Sequence, residues 1–435
     1  MGLRIILDKS VIYGLNNSEA DLLDRYFFQI VPPILTNEIL ADLAKETTEP
    51  NIQNRISSNV YRISGNRGLT INYKDILVNS LLGNEILMEG KYLPAGERMV
   101  RAGDGSIGTI VETPLEDNNI TRWERKNFTD VERWFATNWR RKVERVINPK
   151  IYTRKISEAG LEFKIPKSDN ELAEIVDSLL RNKKFQGKLL VLLAKEHEIP
   201  FEYQKIVINR WFKEGKPMIK DFAPYALFCL RANFLWAIGL TNSNLFSPDK
   251  NDRKDLQYCY YLPHCEIFAS KDKKHKRLVP FLLRPDQSFV DSSELKADLG
   301  RLSENWDTLS REERINYRSE RGDAPPEDEN SIVFRLWKKH RGKISRSLPL
   351  EIGKMKLVDS RLPKEEQVEI TFEELVRSIA KKYKNAPSIT SKEMDSLRNI
   401  HGENNPSTFL EKKTFISRER LLKLYPHLKD EDLNK

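Results

Sequence analysis

Residues 3–7, LRIIL, form a short run of aliphatic side chains that stops at Asp8. A run of this length, apolar at consecutive positions, predicts a strand buried on both faces, as in a parallel sheet. Asn17-Ser18 then offers an N-cap, and a helix is expected from Glu19 to Phe28 with acids in its first turns. Ile30-Val31 reads as a second brief strand closed by Pro32-Pro33. A second helix is expected from Ile34 to Ala44, with Ile34, Leu35, Ile39, Leu40 and Leu43 on its apolar face and Glu38 beside it. This β-α-β-α opening breaks off near Lys45.

The texture then changes. Residues 46–110 carry turn signals (Ser64-Gly65-Asn66, Pro94-Ala95-Gly96, Gly103-Asp104-Gly105) and only weak alternation. Helical patterns follow over Phe128–Val146, Asn170–Leu180 and Lys188–His197, so residues 46–219 are expected to form one mainly helical insertion. An α/β pattern resumes at about 220. Helices are expected over Phe222–Leu240 and Arg253–Leu262, a strand over Cys265–Ala269, then Ser270-Lys271-Asp272 and a helix over Lys273–Leu283. Residues 286–435 are charged and read as a C-terminal extension of helices with mobile, lysine-rich stretches. The expected fold class is therefore α/β: a three-layer core with a parallel sheet made from 1–45 and 220–285, interrupted by a helical insertion.

Composition narrows the picture modestly. The chain has 435 residues, enough for more than one core. Lys and Arg total 73 against 64 Asp and Glu, a formal net charge of +9 that favours a polyanionic partner without naming one. Three cysteines, Cys229, Cys259 and Cys265, lack zinc-ligand spacing and sit in apolar sequence, as expected of reduced core residues in a cytoplasmic protein. An acid at position 8 interrupts any secretory apolar segment, and Arg231 and Asn233 interrupt the most apolar later stretch, so no membrane partner is expected. Position 6 is Ile where a myristoylation motif wants Ser or Thr.

Four acids stand where an open α/β sheet builds sites, at or near the carboxyl ends of its strands. Asp8 and Asp272 follow apolar strands, Glu38 lies in the second helix, and Asp255 lies in the first turn of the helix before the later strand. Each has an ordinary structural reading: Asp8 as an N-cap, Glu38 as a solvated helix residue, Asp255 as a first-turn acid, Asp272 as a turn residue. Gathered in one cleft, four carboxylates repel unless a cation neutralises them, and hard oxygen ligands select Mg²⁺ or Mn²⁺. Such an ion stabilises the charge that develops on a phosphate.

The order of these acids carries a resemblance. LDKSVIYGLNNSEADLLDRYFFQIVPPILTNEILADL and the later DLQYCYYLPHCEIFASKD resemble the PIN-domain nucleases, with a large insertion between the two halves. The resemblance matches Asp8 to the first acid of that family, Ser10 to the hydroxyl residue after it, Glu38 to the helix acid, Asp255 to the later helix acid and Asp272, within Ser270-Lys271-Asp272, to the last. It implies a metal-dependent endonuclease acting on RNA more than DNA, with Asp8, Glu38, Asp255 and Asp272 as catalytic metal ligands. Ser10 and Ser270 would orient the carboxylates. Asp252 is a rival for the third acid; Asp255 is preferred because its helix continues directly into Leu256, Tyr260 and Tyr261. Surface loops tolerate long insertions, because closure entropy grows only logarithmically with length.

Cations near these acids offer a landing for a polyanion. Lys271, Lys273 and Lys274 flank Asp272, while Arg140, Arg141 and Arg145 lie close to Trp134 and Trp139. Cations mixed with aromatics suit single-stranded nucleic acid, although tryptophans at helical spacing are more often core. The tail repeats the mixture with Arg335, Lys338, Lys339, Arg341 and Lys343 beside Trp337. His197, His264 and His275 share no metal-ligand spacing. Gly103 to Gly108 lacks the Lys-Ser/Thr of a phosphate-binding loop, and no G-x-S-x-G elbow occurs. Two rival readings stay open: a module that binds nucleic acid without cutting it, and a toxin or defence effector controlled by a regulatory partner or by homo-oligomerisation.

Overall fold

The computed structural model describes residues 2–341, apart from 85, 91–92, 96, 102–106, 112–114, 145, 159, 311, 315, 318–321 and 323, and the short pair 356–357 and 370–371. Arg145, Lys343, the glycine stretch 103–106 and the lysine-rich last 64 residues lie outside the described residues. The chain divides into two units, Met1–Pro349 and Leu350–Lys435.

The first strand, β1 (Leu3–Leu7), is the centre of the sheet, and its Leu3, Ile5, Ile6 and Leu7 have almost no exposure. Aliphatics at successive positions leave no polar face, so the strand is stable only with both faces covered. Next come α1 (Lys9–Gly14), α2 (Asn17–Tyr26) and β2 (Phe27–Val31). The helix expected to reach Phe28 instead stops at Tyr26: Phe27, Ile30 and Val31 are buried as strand residues beside β1. Asn16 caps α2 in a reciprocal box with Glu19. Then follow α3 (Pro33–Leu40), a 3₁₀ turn over Ala41–Lys45, α4 (Ile52–Tyr61), β3 (Arg67–Leu69) and α5 (Tyr73–Leu82). Weak alternation hid α4 and α5. Their buried faces, Ile52, Ile56, Val60 and Ile76, Leu77, Leu81, follow helical spacing over only ten residues each.

Beyond α5 lie an antiparallel hairpin, β4 (Glu97–Arg101) with β5 (Ile107–Val111), and eight helices: α6 (Leu115–Glu124), α7 (Asp130–Val143), α8 (Pro149–Glu158), α9 (Asp169–Arg181), α10 (Gln186–Glu196), α11 (Phe201–Lys213), α12 (Ile219–Phe222) and α13 (Pro224–Gly239). The sheet resumes through α14 (Asp252–Cys259), β6 (Ile267–Ser270), α15 (Lys273–Leu278), β7 (Ser288–Asp291), α16 (Ser292–Thr308) and α17 (Ile332–Arg341). In the second unit, β8 (Lys356–Leu357) pairs antiparallel with β9 (Ile370–Thr371).

The five-stranded sheet is wholly parallel in the order β3-β2-β1-β6-β7. It reaches past the boundaries expected at 45 and 285, since β3 lies in the stretch assigned to the insertion and β7 in the stretch assigned to the extension. Both edge strands are short, so neither left a strong pattern in the sequence. The order of strands reverses at β1, whose neighbours come from opposite ends of the unit. Their register sets Leu7 opposite Ala269, and the Asp8 amide donates to the Ala269 carbonyl at 3.1 Å. Glu266 fixes that register from the other end: its carboxylate accepts from the Arg4 amide and the Arg4 guanidinium, each at 2.8 Å. Asp8 and Ser270 thus leave adjacent strands side by side, at the switch point where open α/β sheets form a crevice.

Candidate functional site

Asp8 ends β1 and caps α1, accepting the Val11 amide at 3.1 Å on Oδ1. The ordinary reading of this residue therefore holds, but it accounts for one bond among several. Ser10 also donates to Oδ1 and Ser270 donates to Oδ2. Asp272 caps α15 in the same manner, taking the amides of Lys274 at 2.8 Å and His275 at 3.0 Å on Oδ1. A cap of this kind turns the third residue of the helix back toward the strand it left, and here that residue is His275.

The His275 ring is fully buried, with Phe268, Trp236 and Tyr258 edge-on around it. Its Nε2 lies 2.8 Å from the Asp255 carbonyl oxygen, which only accepts, so Nε2 carries a proton. Its Nδ1 lies 2.9 Å from Ser270 Oγ and 3.7 Å from Asp8 Oδ2. Ser270 has one hydroxyl proton, given to Asp8, and it accepts the Asp272 amide at 3.0 Å. Its remaining lone pair faces Nδ1, which must then donate as well. Both ring nitrogens are donors, and His275 is an imidazolium. Burial alone would lower its pKa, but Asp8 and the surrounding groups raise it well above the usual histidine value. Burial likewise pushes the Asp8 carboxyl up, and His275, Ser10 and Ser270 together more than reverse that, holding it below the usual carboxylate range.

Asp255, in the first turn of α14, is partly exposed, and its carboxylate accepts no hydrogen bond and forms no ion pair among the described residues. Burial pushes it up to about 8; His275 pulls the other way, while Asp272, Glu38 and Asp8 each add repulsion. The four acids singled out from the sequence therefore act on one another across one cleft. Asp252, the rival, is fully buried and ion-paired with Lys274, with its other oxygen accepting the Asp249 amide at 2.7 Å.

Glu38 is buried rather than solvated, and both of its oxygens are engaged. Oε2 accepts the Tyr258 hydroxyl at 2.6 Å and Oε1 lies 3.4 Å from the Lys254 ammonium. Lys254 also lies 3.7 Å from Glu144, just beyond the end of α7. Lys9 donates to the Glu38 carbonyl at 2.9 Å and pairs with Asp42 at 3.1 Å. Burial lowers the Lys9 pKa, and Asp42 and Glu38 only partly offset that. Sequence reading missed His275, Lys254, Tyr258 and Glu144. The spacing Asp272-x-x-His275 was the available signal for the first, whereas Glu144 reaches the site through tertiary packing alone.

Among the basic residues, Lys271 and Lys273 are exposed beside Asp272, and Arg141 is exposed on α7. Lys274 is committed to Asp252, and Arg140 to Glu144 at 2.9 Å. Trp134 is 68% exposed, contrary to the usual core role of tryptophan, while Trp139 packs partly buried against the core. In α17, Arg335 and Lys338 bond to groups at Glu329 and Asn330, so that basic run is largely occupied. All three cysteines are buried and free. No helix among the described residues is long and apolar enough to cross a membrane. Among the same residues, no three His, Cys, Asp or Glu side chains stand converged as a metal-ligand set. No family model, curated protein or solved structure matches the chain.

Proposed function

We propose that the chain is a metal-dependent nuclease with a PIN-like core, hydrolysing phosphodiester bonds of RNA or DNA. The observation that carries this reading is the meeting of Asp8, Glu38, Asp255 and Asp272 at the switch point of a parallel sheet, with Asp255 held protonated up to about 8 by its neighbours. A carboxylate left without a partner among other carboxylates is where a divalent cation gains most. The donor set, all hard oxygens, fits Mg²⁺ or Mn²⁺. Closing it on an ion asks the side chains to turn inward from their present hydrogen bonds. Asp8, Asp255 and Asp272 would hold the ion, and Glu38 would flank it. When bound, the ion would acidify water and stabilise charge on the scissile phosphate. Ser10 and Ser270 orient Asp8, His275 holds Ser270, and Lys271 and Lys273 offer exposed charge to the phosphate backbone.

The test is cleavage of labelled single- and double-stranded RNA and DNA with Mg²⁺ or Mn²⁺. Asp8→Asn and Asp272→Asn should each lower cutting by at least a hundredfold. Undiminished cutting by both variants would dismiss the carboxylate site. A second reading, a nucleic-acid reader or an enzyme that awaits a regulatory partner, is favoured by the cations already matched to Asp8 and Glu38. Binding of the same oligonucleotides without any cutting would select it.

A further inference from the structure

The carboxylates of the cleft differ in what balances them. Asp8 faces the His275 imidazolium, and Glu38 faces Lys254, whose side chain is only 11% exposed. Glu144, on the far side of Lys254, is matched by Arg140 at 2.9 Å. The other cations close by are committed elsewhere, Lys9 to Asp42 and Lys274 to Asp252. Asp272 accepts only backbone amides, and the Asp255 carboxylate accepts nothing among the described residues. Four carboxylates and two fixed cations leave two negative charges, on Asp255 and Asp272. That is the charge of one divalent ion.

We propose that the site takes a single divalent cation, between Asp8, Asp255 and Asp272, and that Lys254 is a positioning residue standing beside Glu38 where a second ion would otherwise sit. The inference rests on the metal-dependent reading above and narrows it. A second ion beside Glu38 would have to displace an ammonium held between Glu38 and Glu144, and would leave the cleft with excess positive charge before any substrate arrives. Uncompensated charge in a mostly buried site is costly, and removing one member of such a set is felt strongly. Lys254 and Asp255 are consecutive in the first turn of α14, so one turn supplies both the fixed cation and a ligand for the mobile one.

Counting bound Mn²⁺ on the full chain, by electron paramagnetic resonance of the free ion and by calorimetry, tests this without reference to activity. Wild type should bind one ion per chain. Glu38→Gln should leave that count unchanged, and Asp255→Asn should weaken it at least tenfold. Lys254→Met should admit a second, weaker ion, lost again when Glu38→Gln is added; Lys254→Gln serves as the parallel variant, with thermal melts confirming folding. Two ions on wild type, one of them lost in Glu38→Gln, would overturn the proposal, and so would folded Lys254 variants that still bind one. In that last case the metal site itself survives. Failure of every form to bind Mn²⁺ would remove the metal-dependent reading, and this inference with it. Should neither Lys254 variant fold, the comparison of wild type with Glu38→Gln decides alone.

Discussion

His197, packed among α5, α13 and the segment after α14, and His275, behind the carboxyl ends of β1 and β6, are both shut off from water. Around His197 the partners are neutral. Asn233 Oδ1 accepts the Tyr260 hydroxyl, so its Nδ2 donates to His197 Nε2 at 2.9 Å, and that nitrogen must be bare. Tyr73 and Tyr260 present their rings edge-on. Burial, helped by Lys74, pushes His197 down to about 3. His275 has equal burial and moves in the opposite direction, because its network contains a carboxylate and demands two donors. Burial does not decide the charge of a histidine; the hydrogen-bond inventory around it does. The His197 pocket is apolar packing with a satisfied polar pair. The His275 pocket is a charge-balanced cluster, which is what a catalytic or ion-binding site requires.

The comparison breaks most sharply at Asp8. Asp8→Ala leaves a buried imidazolium without its counter-charge, an expected loss of about 3–5 kcal/mol in urea unfolding at pH 6. The loss should shrink above pH 8, where the ring can shed its proton. Asn233→Ala, the corresponding cut in the neutral pocket, should cost about 1–3 kcal/mol through the unsatisfied Tyr260 hydroxyl and His197. Its cost should be the same at pH 6 and pH 8.

A pH series sharpens the contrast further. His197 has a depressed pKa, so between about 6.5 and 3 the unfolded chain binds the extra proton and stability falls as pH falls. Asp255 has a raised pKa, so between about 4 and 8 the folded state keeps the proton and stability falls as pH rises. His275, also raised, adds to the loss at the alkaline end as pH climbs through its folded pKa. Asp255→Asn should flatten the alkaline limb by about 1–2 kcal/mol once water at its exposed side is allowed for. Added Mn²⁺ should flatten it as well, with proton release on binding at pH 7 that calorimetry in two buffers can count. The smallest effect belongs to the exposed lysines. Replacing Lys271 and Lys273 by Ala should leave stability within about 0.5 kcal/mol. It should lower the salt dependence of nucleic-acid binding by about 0.7–0.9 per lost phosphate contact.

Legibility followed the strength of the local pattern. LRIIL could be only a strand buried on both faces, and β1 spans those residues. The capped acids Asp8 and Asp272, with their serine neighbours, were readable because strand-end and N-cap chemistry is written within a few residues. Strand β3, three residues with a glycine at its centre, left no such signature, and its place beside β2 comes from tertiary pairing. Lys254 looked like one charge among many in a helix start. Its meaning arises only when Glu38 and Glu144 arrive from distant sequence. His275 was set aside for want of ligand spacing, a criterion suited to metals and blind to a histidine that serves a serine.

The position of β1 has a consequence in time. Its two neighbours in the sheet are β2, made almost immediately, and β6, which begins at Ile267. At roughly 5–20 residues per second, a ribosome needs about 13–50 s to reach that point. For all that interval one edge of the most apolar strand in the protein is unpaired, and Asp8 has neither Ser270 nor His275. The early half must therefore wait in a shielded or chaperoned form, and whatever chemistry the cleft performs switches on only after the later half has been synthesised and docked.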